Sequence, residues 1–129
     1  MILSLDLKSD IPIYQQIYDQ ILQGIASGAL EPGEKLPTVR ALAGETGVNS
    51  MTVNKAYQLL KADGYIFTDR RNGATVSDSF PGADCLSDVD EQQLSMIISR
   101  ASLSGIGKGR FLKLCADMYD RLSSGEGSE

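Results

Sequence analysis

LPTVRALAGETGVNSMTVNKAYQLLKADG, residues 36–64, holds two short helical patterns joined at Gly47 and followed at once by a strand-turn-strand. Pro37 and Thr38 open the first pattern, and Thr38 is its expected N-cap, with a hydroxyl able to accept from an otherwise unpaired backbone N–H. Val39, Leu42 and Ala43 have the i, i+3, i+4 spacing of a helix that buries one face. Gly47 permits the left-handed conformation that ends a helix and turns the chain sharply. Asn49 is the N-cap expected for the second helix, Val53, Ala56, Tyr57 and Leu60 form its inward stripe, and Gly64 supplies the stop. Asn49, Ser50, Thr52, Asn54, Lys55, Gln58 and Lys61 are left for the outward side. That side reads either as a solvated helix face or as donors and acceptors with the reach for base edges and phosphates. The tight turn and the hairpin favour the second reading, because this order of elements suits the placing of one helix in a major groove.

After Gly64, residues 65–68 read as a strand, 69–73 as a turn and 74–77 as the return strand. The tip, Arg70-Arg71-Asn72-Gly73, puts two guanidinium groups on an exposed loop, suited to phosphates or a narrow minor groove. A charged turn that merely keeps the hairpin soluble is the plainer alternative. Upstream, Ile2 to Leu7 alternates imperfectly and reads as a short strand, and Asp10 is expected to cap the helix that follows, with Pro12 in its first turn. Tyr14, Ile17, Tyr18, Ile21 and Ile25 recur at helical spacing until Gly28, a stripe read as core packing in preference to a ligand wall. Glu31-Pro32-Gly33 reads as a turn.

The segment from Pro12 to Val76 resembles the winged helix-turn-helix domain of the GntR family of bacterial transcription regulators. PIYQQI at 12–17, GALEPGEKLPTVRALA at 28–43, GVNSMTVNKAYQLL at 47–60, and DGYI at 63–66 with a basic turn before ATV carry the resemblance, over about half of the chain. It implies DNA contacts from Arg40, from Asn49, Ser50, Met51, Thr52 and Asn54 at the start of the recognition helix, and from Arg70, Arg71 and Asn72 on the wing. With Thr38, Lys55 and Gly73 beside them, these are the expected DNA-binding residues: Asn49, Thr52 and Asn54 to read or position bases, Arg40, Lys55, Arg70 and Arg71 to hold phosphates or the minor groove. Many members carry arginine where this chain has Ser50, and often at Asn54, which implies an operator unlike those of the larger subgroups. The wing keeps only the last glycine of the common Gly-Lys-Gly pattern.

Residues 78–86, with Pro81 and Gly82, read as a linker. Two amphipathic helices are expected in 87–123, one with Leu94, Ile97, Ile98 and Ala101 on a side, the other with Phe111, Leu114, Cys115, Met118 and Leu122. Two helices this short cannot bury both stripes alone, so they must pack on the N-terminal domain or on another subunit, and a homodimer is expected. Residues 124–129 read as a disordered tail by composition. The fold class expected is mainly α with a small β wing (α+β): a winged helix-turn-helix over 1–77, the linker, then a two-helix dimerisation region. The YtrA-like subgroup of the GntR family has such a short two-helix C-terminal part, and Thr52 to Tyr57 also resembles that subgroup. The resemblance implies a dimeric repressor on an inverted-repeat operator of double-stranded DNA, often for an operon with an ATP-driven transporter. The alternative is a winged-helix protein-interaction module.

Charge is the main objection to a DNA reader, because the 129 residues carry 12 basic and 17 acidic side chains, net -5. Residues 1–77 hold 7 basic and 8 acidic residues, net -1, and the remainder holds 5 and 9, net -4, so most of the acidity lies outside the expected reader. A local basic face on a nearly neutral domain suffices for salt-sensitive binding. The chain has no histidine, which removes the commonest general base and metal ligand, so no enzyme, metal or cofactor is expected. Asp88 does not start a calcium loop, since Gln93 and Ser99 stand where its glycine and glutamate would fall. Cys85 and Cys115 are read as reduced thiols. No apolar run approaches the roughly 20 residues of a membrane span and no signal peptide is evident, so a cytoplasmic location is expected. No effector site is visible.

Overall fold

The computed structural model of the chain describes residues 3–71, 73–80, 82 and 84–123. Its elements run α1 (Ile13–Ser27), α2 (Val39–Thr46), α3 (Ser50–Ala62), β1 (Ile66–Asp69), β2 (Gly73–Val76), α4 (Asp88–Leu103) and α5 (Lys108–Ser123). The expected tail at 124–129, Asn72 of the turn and Pro81 of the linker lie outside the described residues.

Three helices and the hairpin share one core. Ile17 and Ile21 from α1, Leu42 from α2, Val53, Ala56, Tyr57 and Leu60 from α3, and Ile66, Ala74 and Val76 from the hairpin are buried together with Leu30 and Leu36. Val39 and Ala43 pack against this cluster half-buried, as do Tyr14, Tyr18 and Ile25 of α1. Helix α3 rests on α1 and α2, and β1 follows it directly back onto the same core. The turn between α3 and β1 is fixed by Gly64, whose φ of +84° lets its N–H donate to the Lys61 carbonyl while the N–H of Tyr65 donates to the Leu60 carbonyl. Tyr65 is thereby occupied in ending the helix, and β1 starts one residue later than the expected 65–68. The antiparallel register Ile66↔Val76 to Asp69↔Gly73 shifts the return strand to 73–76 in the same way.

Two expectations for the N-terminal segment fail. Residues 3–6 form no strand: the backbone of this extended stretch is paired by side chains of α1 instead of by another strand. The N–H of Ser4 donates to Gln20 Oε1 at 2.9 Å and Gln20 Nε2 donates back to the Ser4 carbonyl at 2.7 Å. Gln16 does the same for Asp6, at 2.8 and 2.9 Å, and also donates to the Ile11 carbonyl. A primary amide offers the same donor and acceptor as a peptide group, so two glutamines one helical turn apart replace a neighbouring strand. Asp10 does not cap α1. Pro12 is the N-cap residue, without a side-chain cap, and its carbonyl accepts from the N–H groups of Gln15 and Gln16.

Helices α4 and α5 contribute nothing to the core and bury no residue of their own. Ser87 caps α4 by accepting from the Asp90 N–H, and Asp88, Asp90 and Glu91 fill the first turn, where acids meet the positive end of the helix dipole. A contact of α5 with α1 and the ring pair Tyr65–Phe80, with centroids 6.0 Å apart, tie this C-terminal part back to the rest.

Candidate nucleic-acid interface

The start of α2 is built to stay open. Thr38 Oγ1 accepts from the Ala41 N–H at 3.0 Å, as expected of an N-cap, and Arg40 stands exposed in the first turn. The approach to this turn is fixed from below, where the hydroxyl of Tyr57 on α3 donates to the Pro37 carbonyl at 2.7 Å. Burial, with the negative charge of Glu45 in addition, pushes the Tyr57 hydroxyl from 10.0 up to about 12, so it stays a donor throughout the physiological range.

Gly47 turns the chain at φ +72°, and Asn49 begins α3 by accepting from the Met51 N–H at 2.7 Å through Oδ1. Asn49 was expected to cap and to read bases. Its oxygen is committed to the cap, which leaves its amide N–H groups as the part that can reach outward. Ser50, Met51, Asn54 and Gln58 are exposed, Thr52 is half-buried, and the opposite side of the helix is buried at Val53, Ala56, Tyr57 and Leu60. The apolar stripe read from the sequence is therefore the buried one, and what it leaves outside is a polar row interrupted by Met51. Lys55 is exposed as well, but its ammonium lies 4.0 Å from the centre of the Tyr14 ring, held at the α1 flank of the helix by a cation–π contact.

The hairpin carries Arg70 and Arg71 exposed on its turn, and Gly73 opens β2 at φ +68°. Asn72 is outside the described residues. The wing is wider than the sequence indicated. The N–H of Leu36 donates to the Ala74 carbonyl, the Val76 N–H to the Glu34 carbonyl, and the Gly33 N–H to the Val76 carbonyl, so residues 33–36 line the free edge of β2. Lys35 pairs with Thr75 across this edge and is exposed, which adds a cation two residues upstream of Pro37. Nothing local marks 33–36 as extended, because its partner lies some forty residues downstream and only the closed sheet brings the two together.

Of the side chains expected at a dimer contact, Leu94, Ile97 and Ile98 on α4 and Leu114 and Met118 on α5 are exposed, at 37 to 51%. Ala101, Phe111, Cys115 and Leu122 are half-buried. Among the described residues, the inward stripes of α1, α2 and α3 are closed by comparison, with Ile17, Ile21, Leu42, Val53 and Leu60 fully buried.

Comparisons with known proteins bear on the family and the fold. The family described as bacterial regulatory proteins, gntR family, matches residues 13–76. The HTH-type transcriptional repressor YtrA of Bacillus subtilis is 40% identical over 77 residues, 60% of this chain and 59% of that protein. The chain thus spans about three-fifths of the first curated relatives it matches. Among solved structures, YtrA from Sulfolobus acidocaldarius, a GntR-family transcription factor, is 43% identical with a TM-score of 0.61, over 80% of this chain and 99% of that one. A transcriptional antiterminator from Listeria monocytogenes EGD-e superposes with a TM-score of 0.81 at 28% identity, over 95% of this chain and 93% of that one, so its likeness extends through the C-terminal helices. The DNA-binding domain of AraR in complex with operator ORX1 is 28% identical with a TM-score of 0.51, over 58% of this chain and 93% of that one.

Proposed function

This chain belongs to the GntR family of bacterial regulatory proteins, YtrA-like within it, and we propose that it is a DNA-binding transcriptional regulator that acts as a homodimeric repressor of an inverted-repeat operator. The observation that carries the proposal is the outward side of α3, polar from Asn49 to Gln58 except at Met51 and exposed except at half-buried Thr52, while the other side is buried, with the basic wing turn next in the chain. In this reading the N-terminal half of α3 enters the major groove, Ser50, Thr52, Asn54 and the Asn49 amide meet base edges, and Arg40, Lys55, Arg70, Arg71 and Lys35 hold the backbone or the minor groove. Residues 1–77 form the reader, 78–86 the linker and 87–123 the dimer contact, where Leu94, Ile97, Ile98, Leu114 and Met118 of two copies cover one another. The name of the Bacillus relative supports repression, and an operon encoding an ATP-driven transporter is the proposed target.

Titration of the chain against its own upstream DNA tests this. Saturable binding that weakens steeply with salt is expected, because each phosphate neutralised releases a counterion. Arg40→Ala is expected to cost about 1–3 kcal/mol if Arg40 grips a base edge, and to lower the salt slope by about one unit if it holds phosphate. Absence of salt-sensitive binding to every fragment of that region would favour the protein-interaction alternative.

A further inference from the structure

The outward row of α3 contains one residue that does not fit a polar reading surface. Met51 is 79% exposed and sits in the first turn between Ser50 and Thr52, while the other exposed large apolar group of α3, Leu59, lies two turns further on at 38%. Its position is fixed, because its own N–H is the donor that Asn49 caps at 2.7 Å. The backbone that carries it is therefore held at a defined place, and at 79% exposure the side chain is displayed to solvent. An apolar group held out on an otherwise hydrogen-bonding surface contributes nothing to folding, but it complements the one apolar group on the floor of a major groove, the C5 methyl of thymine. Methionine suits this contact: it is unbranched, polarizable and adapts its length to a shallow apolar spot, while it has no donor with which to engage a guanine or adenine edge.

We propose that Met51 is a specificity-determining residue that selects thymine at one position of each operator half-site by burying its terminal methyl against the thymine C5 methyl. This rests on the proposed entry of α3 into the major groove, and goes further by naming the base and the group on it. Polar neighbours fix the rest of the half-site, whereas this position is read by shape and methyl burial alone.

The test uses the full chain and an operator recovered by selection from a random duplex pool. Thymine is then replaced by deoxyuridine one position at a time, which removes only the C5 methyl and keeps base pairing. One thymine per half-site is expected to lose about four-fold in affinity on this replacement, the worth of one buried methyl group. The Met51→Ala protein is expected to bind thymine and deoxyuridine operators equally at that position and to show a relaxed preference there on reselection. Alanine is the best helix former and the site is exposed, so circular dichroism and the salt slope of binding are expected to be unchanged. Equal binding of deoxyuridine at every position by the unaltered protein overturns the assignment to Met51 and leaves the repressor reading standing, as does a methyl effect that persists in Met51→Ala. Failure to recover any preferred sequence overturns the operator reading itself, and the role of Met51 with it.

Discussion

At the scale of single residues, Tyr57 joins stability to the proposed DNA-binding surface. It lies in the buried stripe of α3, and its hydroxyl holds the Pro37 carbonyl just ahead of the α2 cap. Its hydroxyl is raised from 10.0 to about 12 in the folded chain, so the fold prefers the neutral form. The contribution is complete below pH 10.0, where both states are protonated, and is lost as pH climbs toward about 12, because the unfolded chain releases its proton first. Denaturant unfolding followed across that alkaline range is expected to show falling stability. Tyr57→Phe is expected to cost about 1 kcal/mol at neutral pH, through the lost hydrogen bond, and to flatten the alkaline decline. Part of the decline should survive in that variant, since burial and Asp63 also raise the hydroxyl of Tyr18. The sequence placed Tyr57 in the core stripe; its bond to a carbonyl twenty residues away became visible only once α2 and α3 were packed.

At the scale of elements, the ends of α2 and α3 and the hairpin were legible to within a residue, while the start of α1 and the third strand-like edge of the wing were not. The Thr38 and Asn49 caps and the Gly47 turn rely on side chains and backbone within four residues of each other, which a sequence displays directly. Helix α2 offers a paired test of that local logic. Gly44 lies inside the helix and Gly47 ends it at φ +72°, and a Cβ added at either would meet no atom within 4 Å. Only backbone conformation then separates the two. Gly44→Ala is expected to raise stability by about 0.5–1 kcal/mol, and Gly47→Ala to lower it by about 1–2 kcal/mol, both read by chemical denaturation. The third edge of the wing and the glutamine pairing of residues 3–6 join parts of the chain ten to forty residues apart, so alternation of apolar residues suggested a strand where Gln16 and Gln20 do the pairing.

At the scale of the whole molecule, the open stripes of α4 and α5 set the expected assembly. Their large apolar side chains are about half exposed, and a second copy is the partner that would close them while bringing two α3 helices to half-sites about one helical turn apart. Light scattering of the full chain is expected to give a dimer, and a chain truncated after Ser77 a monomer with much weaker, non-cooperative operator binding. A dimer surviving that truncation would move the contact into the N-terminal part. The net charge of -5 bears on the same point: with -4 of it beyond residue 77, most of the acidity falls outside the proposed reader, which is left nearly neutral.

The sequence by itself determined the helices, the caps of α2 and α3, the two sides of α3 and the likeness to a family of regulators, because each of these depends on neighbours within one or two turns. Tertiary structure decided what Asn49 can still offer after capping, where Lys55 is held, that 33–36 completes the wing and that residues 3–6 pair with side chains in place of a strand. Those outcomes depend on which distant groups the shared core brings within hydrogen-bonding distance, and periodicity along a chain carries no record of that.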